Sequence, residues 1–231
     1  MPSLLFDPLP VFAIPVKGRD SGFPVRRIFC VGRNYAAHAA EMGGEVDREA
    51  PWYFTKSVAH AVISGAEVPF PAGTDNYHHE MELAFGIGAE VKDATEVEAA
   101  SAIFGYGCAL DMTRRDRQQD GKDNRRPWSL GKDVENSAVF ARMTPAAVFG
   151  GPASQRIHLE VDGEVRQDAS LAEMVWSPVE LVMHLSKFYT LVPGDVVMTG
   201  TPAGVGAVQA GQEITGGIDG LDPIGLTLLS S

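Results

Sequence analysis

Between Tyr77 and Gly88 the chain reads Tyr-His-His-Glu-Met-Glu-Leu-Ala-Phe-Gly-Ile-Gly, and this stretch restricts the fold more than any other. From Met81 onward it is apolar and ends in glycines, the pattern of a buried strand. Successive strand side chains point to opposite faces, so Glu80 and Glu82 share one face and Met81 and Leu83 the other. Two carboxylates side by side on a sheet repel, and desolvating them costs more still. A fold that buries this strand needs a cation between the acids, and oxygen-only ligands suit a hard ion such as Mg2+ or Mn2+. For an isolated Glu-x-Glu the commoner alternative is the solvated face of an edge strand. The rest of the chain has to decide.

At 231 residues, 45% hydrophobic and 21% charged, the chain has ordinary globular composition and can bury a sizeable core. Its net charge of −11 argues against nucleic acid, which needs a basic patch. An anionic substrate would gain nothing from global steering and would need local cations. Cys30 and Cys108 sit in apolar, strand-like stretches and read as reduced core residues. The start has no basic segment followed by a long apolar run, and no stretch approaches the ~18 apolar residues of a membrane span. A soluble cytoplasmic protein is the expectation.

Residues 1–24 are rich in proline and read as an N-terminal arm, with an edge strand over Val11–Val16. A single domain is expected over 25–231. Arg27–Gly32 reads as a buried strand, followed by an Ala-rich helix with Asn34 as its cap and Gly43-Gly44 as its stop. On that helix His38 and Glu41 are three apart and share a face. A histidine beside a carboxylate is a general base with its orienter, although such pairs also occur on exposed helices. The acidic stretch Glu45–Glu49 and the flanking glycines fit a mobile lid. Lys56 ends a short aromatic strand and reads more as surface than as a pocket cation. His60, His78 and His79 lack the spacing of a zinc site, and His78 and His79 read as bystanders.

Further on, Thr95–Phe104 reads as a helix and Gly105–Leu110 as a buried strand that delivers Asp111 at its end. Thr113 reads as the cap of the next helix, on which Arg115 and Gln118 face one way, with Arg114 and Arg117 on the surface. Lys132 closes a loop beside Trp128 and Gly131. Residues 145–154 read as loop, and Ile157–Val165 as a scaffold hairpin turning at Asp162-Gly163. Ser177, Pro178 and Glu180 form a capping box, with Leu181, Val182, Leu185 and Phe188 as the apolar stripe of the helix that follows. Asp195–Met198 reads as a strand, and Thr199–Gly206 as a glycine-threonine loop whose N–H groups can approach a ligand.

Taken in order, Gly32-Arg33-Asn34-Tyr35, His38, Glu41, Glu80-x-Glu82, Asp111-Met-Thr-x-Arg115-Asp116-x-Gln118, Lys132 and Thr199-Gly200-Thr201-Pro202 resemble the fumarylacetoacetate hydrolase family. The resemblance covers roughly residues 25–229 and is most similar to its acylpyruvase-like, fumarylpyruvate-hydrolysing members. It implies an α+β, β-rich fold with a large rolled mixed sheet and a few short helices, a Mg2+ or Mn2+ cofactor, and a homodimer. By position it implies Glu80, Glu82 and Asp111 as metal ligands. His38 and Glu41 become the catalytic pair. Arg115, Gln118, Lys132 and Thr201 become substrate contacts, with Lys132 also the oxyanion stabiliser. The expected reaction is hydrolysis of the C–C bond of a small anionic 2,4-dioxo acid such as fumarylpyruvate, as in gentisate-type aromatic catabolism. Oxaloacetate decarboxylation or dienol isomerisation at the same centre is the alternative, and a non-catalytic dicarboxylate binder a more distant one.

Overall fold

The computed structural model describes residues 5–7, 10–44 and 48–230. The strand expected from Met81 is there, as Met81–Ile87, and it is buried along its whole length. It lies in the middle of a mixed, curling sheet whose neighbours run Trp52–Lys56, Arg27–Gly32, Asp195–Met198, Met81–Ile87, Ile103–Asp111, Ala138–Phe140 and Ala61–Ile63. Two of the pairings are parallel, Arg27–Gly32 with Asp195–Met198 and Ala138–Phe140 with Ala61–Ile63. The others along this path are antiparallel. Thr144–Pro145 adds a short eighth strand beside Ile103–Asp111. With six short α-helices among the described residues, this is the β-rich α+β fold the resemblance implied.

The alternation along Met81–Ile87 sorts two cores. Met81, Leu83, Phe85 and Ile87 enter the larger cluster with Ile157, Leu159, Ile214 and Leu226. Those four come from a second, five-stranded sheet that includes Arg156–Val161, Glu213–Ile218 and Ile224–Leu229. The opposite face carries Glu82, Ala84 and Gly86, and there Ile14, Val16 and Phe23 pack with Ile28, Cys30 and Met198. A β-carbon on Gly86 would stand 2.8 Å from the Phe23 ring, so the bare backbone makes room for the N-terminal segment. That segment forms its own two-strand pairing, Ala13–Ile14 with Phe23–Pro24, shorter than the edge strand expected over Val11–Val16.

Several local expectations are met. Cys30 and Cys108 are free and buried. The hairpin 157–165 turns at Asp162-Gly163, and the Ser177 helix begins with its capping box, while the helix expected over Thr95–Phe104 spans Glu96–Ala102 and yields Ile103 and Phe104 to the next strand. Others are corrected. Phe188 is 67% exposed, because the helix ends at Leu185 and the stripe with it. Residues 146–149 form a helical turn inside the expected loop. Asn34 caps nothing: it is fully buried, donating to Trp176 O and Thr199 O. Thr113 is a strand residue, and its hydroxyl turns to Glu80 instead.

The parallel strand Asp195–Met198 leads straight into Thr199–Gly206, and its start is fixed by charge. Asp195 is buried, accepting from Arg27 Nε at 2.7 Å and from the Val192 N–H at 2.9 Å. Arg27→Ala leaves that carboxylate buried without its cation. We expect it to lower the unfolding free energy by about 2–4 kcal/mol, read as a lower urea midpoint at unchanged slope.

Candidate metal centre

Register brings the three acids together. Met81 stands opposite Leu110 and Glu82 opposite Ala109, and the ladder is closed by Asp111 N–H donating to Glu80 O at 2.9 Å. Asp111 is therefore across from Glu80, one pleat from Glu82. Glu80 is the corner at which the chain leaves the small sheet of Tyr77–His79, Thr113–Arg114 and Gly206–Val208 and enters the large one. All three acids are buried, and each offers an oxygen within 4.8 Å of the others.

Three cations surround them. Lys132 Nζ donates to Glu80 Oε2 at 2.7 Å, Asp111 Oδ2 at 2.9 Å and Thr113 Oγ1 at 2.8 Å. Arg115 donates to Glu80 through Nη2 and to Gln118 Oε1 through Nη1 at 2.7 Å. Lys56 was expected at the surface. It is instead buried, donating to Met112 O, Lys132 O and Ser137 Oγ, with Asp111 Oδ1 at 2.9 Å. Its sequence signal was position: like Asp111, it stands at the end of a strand, on the face it shares with Phe54.

An ammonium has three N–H donors, and those of Lys56 are all taken. Its contact with Asp111 Oδ1 is thus purely electrostatic, and that oxygen is a buried acceptor with no hydrogen bond. The protonation balance is equally uneven. Burial works against the charge on Glu80, but Lys132 and Arg115 outweigh it and hold its carboxyl well below the usual range. Burial, then Asp111 and Glu80, push Glu82 well above it. An orphaned acceptor, a carboxyl held high by its neighbours and an all-oxygen donor set fit a hard divalent cation.

The base expected upstream faces the same pocket. His38 lies on the helix Ala36–Glu41, with Nδ1 3.2 Å from Glu41 Oε2. Burial lowers its pKa below the ordinary 6.5, partly offset by Glu80 and Glu41. Glu41 is held in turn by the Gly204 N–H at 3.1 Å, and Glu82 Oε2 accepts from the Gly200 N–H at 2.8 Å. The glycine-threonine loop thus spends these two N–H groups on site carboxylates. Gly200 has φ 91, and a β-carbon there would press on Asn34. The expected acidic lid falls partly on residues 45–47, outside the described residues.

One pocket brings together His38, Glu80, Glu82, Arg115, Gln118, Lys132 and Thr201. Of the expected site residues, Glu41 and Asp111 act from behind this lining, through His38 and Lys132. Sequence reasoning missed Gln167, which lies two residues past the expected hairpin, on the strand Glu164–Ser170. It is fully buried and joins the site from behind, accepting from the Met81 N–H and donating to Thr201 Oγ1 at 2.8 Å. It also contacts His79 Nδ1 at 3.3 Å, so that histidine is packed into the supporting layer. Partners this far apart in sequence leave no local signal for Gln167.

Residues 27–228 match the family described as Fumarylacetoacetate (FAA) hydrolase C-terminal. The chain is 44% identical over 190 residues to a fumarylpyruvate hydrolase of Ralstonia sp, covering 81% of this chain and 98% of that one. It is 43% identical over 199 residues to an oxaloacetate tautomerase of Escherichia coli (strain K12), covering 86% and 90%. In structure it is similar to a fumarylpyruvate hydrolase from Pseudomonas aeruginosa solved with Mn2+ and pyruvate, with a TM-score of 0.95 and 42% identity. That likeness covers 99% of this chain and 100% of that one. Among the described residues, no helix is long and apolar enough to cross a membrane.

The raised carboxyl gives a test of the centre itself. Glu82 holds a proton in the folded, metal-free protein that the unfolded chain releases above its ordinary value of 4.5. Protons bound then favour the folded state, so metal-free stability falls as pH rises beyond that value. We expect Glu82→Gln to remove this slope and to raise the melting temperature in EDTA at pH 8, by about 3–6 °C for a gain of about 1–2 kcal/mol. The same variant should lose the thermal stabilisation that Mn2+ gives the parent. Melting curves with EDTA and with Mn2+ check both halves.

Proposed function

The chain belongs to the fumarylacetoacetate hydrolase family, and on that premise we propose that it hydrolyses the C–C bond of a 2,4-dioxo acid, with fumarylpyruvate giving fumarate and pyruvate. One observation carries the reading: a histidine with its carboxylate orienter faces a three-acid cation site in a single pocket. A binder of dicarboxylates needs the cation site but not the positioned base. The likeness to a hydrolase holding Mn2+ and pyruvate supports the same choice.

Glu80, Glu82 and Asp111 would hold a divalent cation, Mg2+ or Mn2+, which would supply Lewis acidity toward a bound 2-oxo acid. The chain's own residues do the rest. Glu41 accepts the Nδ1 proton of His38, which leaves Nε2 as the acceptor and fixes the ring. His38 Nε2 takes a proton from water, and the hydroxide adds to the distal carbonyl carbon. The bond from that carbon to the pyruvate methylene breaks, its electron pair stays with the pyruvate fragment, and a proton returns to the methylene carbon. Gln118 spends its oxygen on Arg115, so its amide N–H groups are left to donate to substrate. Thr201 Oγ1 accepts from Gln167, so its own proton points elsewhere and can reach an oxo group. Lys132 serves the oxyanion by releasing Thr113, the one neutral acceptor among its three partners.

The 43% identical oxaloacetate tautomerase favours a second reading, in which His38 moves a proton between carbon and oxygen without adding water. Purified protein assayed on fumarylpyruvate, acetylpyruvate and oxaloacetate, with and without EDTA, separates the two. Fumarate release supports hydrolysis. Keto–enol exchange of oxaloacetate with no cleavage of either acylpyruvate overturns it. A homodimeric, cytoplasmic enzyme of aromatic catabolism goes with the hydrolase reading.

His38→Ala should lower kcat by about 10²–10⁴-fold while calorimetric Mn2+ affinity stays within about twofold, since His38 is not a ligand. Because the base works neutral and burial depresses its pKa, kcat/KM should rise with pH to a plateau, with the midpoint of the rise below the 6.5 of a free histidine. That acid limb should be missing from the variant's residual activity.

A further inference from the structure

A substrate such as fumarylpyruvate carries a second carboxylate, and the cations nearest the acids are already paired with those acids. Lys132 and Lys56 have all their N–H donors in hydrogen bonds. Arg115 is engaged by Glu80, Gln118 and, through Nε, His78. Two further cations line the same pocket, Arg33 and Lys122. Among the described residues neither has a carboxylate within 4.0 Å.

Each is placed at some cost. Arg33 follows the strand Arg27–Gly32 with φ 55, a left-handed conformation that costs a non-glycine residue about 1 kcal/mol. Its guanidinium lies against Gly44, just past the His38 helix, where a β-carbon would stand 2.7 Å from Nη1. Lys122 comes from the opposite wall. It lies on the helix Arg115–Asp123, on the same face as Arg115 and Gln118, and its Nζ sits 5.2 Å from the centre of the Trp128 ring. Burial lowers its pKa, and Arg115, Arg33 and Lys132 lower it further. Glu80 offsets part of this, but like charges held half-buried with no carboxylate in contact are relieved by an anion. Trp52 meets Trp128 edge-on at 4.9 Å, giving an aromatic wall along which a carbon chain can lie.

We infer that Arg33 and Lys122 form a distal subsite for a carboxylate, so that the pocket selects 2-oxo acids with a second, terminal carboxylate over those ending in methyl. The inference rests on the 2-oxo acid reading above, but not on hydrolysis, so it is tested by binding. Calorimetry on the Mn2+-loaded protein compares 2-oxoheptanedioate with 2-oxoheptanoate, which match in length and differ only at the far end. The protein should bind the diacid at least about 10-fold more tightly, the scale of one charge-assisted hydrogen bond. Lys122→Gln and Arg33→Gln should each shrink that ratio at least about threefold by weakening the diacid alone, and added NaCl should shrink it in the parent. Lys122→Gln, on a regular helix, keeps the test valid if the strained Arg33 position does not tolerate change. Equal affinity for the two acids overturns the subsite and leaves the 2-oxo acid reading standing, as does a variant that weakens both acids alike. If neither acid binds, the 2-oxo acid reading fails and the subsite with it.

Discussion

Everything around this centre answers one electrostatic problem. Three buried carboxylates have oxygens within 4.8 Å of one another. At an effective dielectric of about 20, each such pair of full charges repels by about 3 kcal/mol or more. Three pairs approach the whole net stability of a domain, about 5–15 kcal/mol. The fold answers first with Lys132 and Arg115 on Glu80 and Lys56 on Asp111, all from outside the strands that carry the acids. It answers next by leaving Glu82 the least favoured of the three to ionise, held by the Gly200 N–H and flanked by both other acids. That residual imbalance is what a divalent cation relieves. The centre is thus a site of stored unfavourable energy, kept because the sheet around it is buried on both faces.

The scaffold supplies precision through backbone register. The contact from Asp111 N–H to Glu80 O sets which acid stands across from which, and a slip of one residue would turn Glu82 into the apolar cluster of Leu83 and Phe85. Gln167 braces that register by accepting from the Met81 N–H, the amide between the two glutamates, and the same side chain orients Thr201. The ligand strand and the glycine-threonine loop therefore share one support. Movement at either would be felt by both, which ties substrate placement to ligand geometry.

What the sequence made legible follows from how local each constraint is. The Glu80–Glu82 strand, the Asp111 strand end, the Ser177 capping box and the His38–Glu41 pair all declare themselves by period or by spacing within a few residues. Asn34, Thr113 and Lys56 were misjudged because their local chemistry has a common use. Asn and Thr cap helices, and lysine ends strands at the surface. Tertiary contacts at separations of 142, 33 and 76 residues gave each another task. Gln167 belongs to the same class, and Arg33 stood inside a motif without its side chain having an assigned partner. Residues that serve the acids from a distance are invisible to any reading confined to neighbours in the chain.

Charge counting links the centre to the size of its ligand. Three carboxylates against Lys56, Lys132 and Arg115 sum to zero when all are ionised, in a chain whose overall charge is −11. A bound divalent cation leaves the inner pocket at +2, and Arg33 and Lys122 add two more at its mouth. A monocarboxylic 2-oxo acid offsets one unit of that excess, whereas a diacid offsets two and places the second where the mouth cations stand. The acidic exterior discourages anions at long range, so the local surplus must do the selecting within about a Debye length of the opening. On the proposed reading, such a pocket would gain its discrimination from where the second charge lies along the carbon chain, with the aromatic wall of Trp52 and Trp128 setting the span.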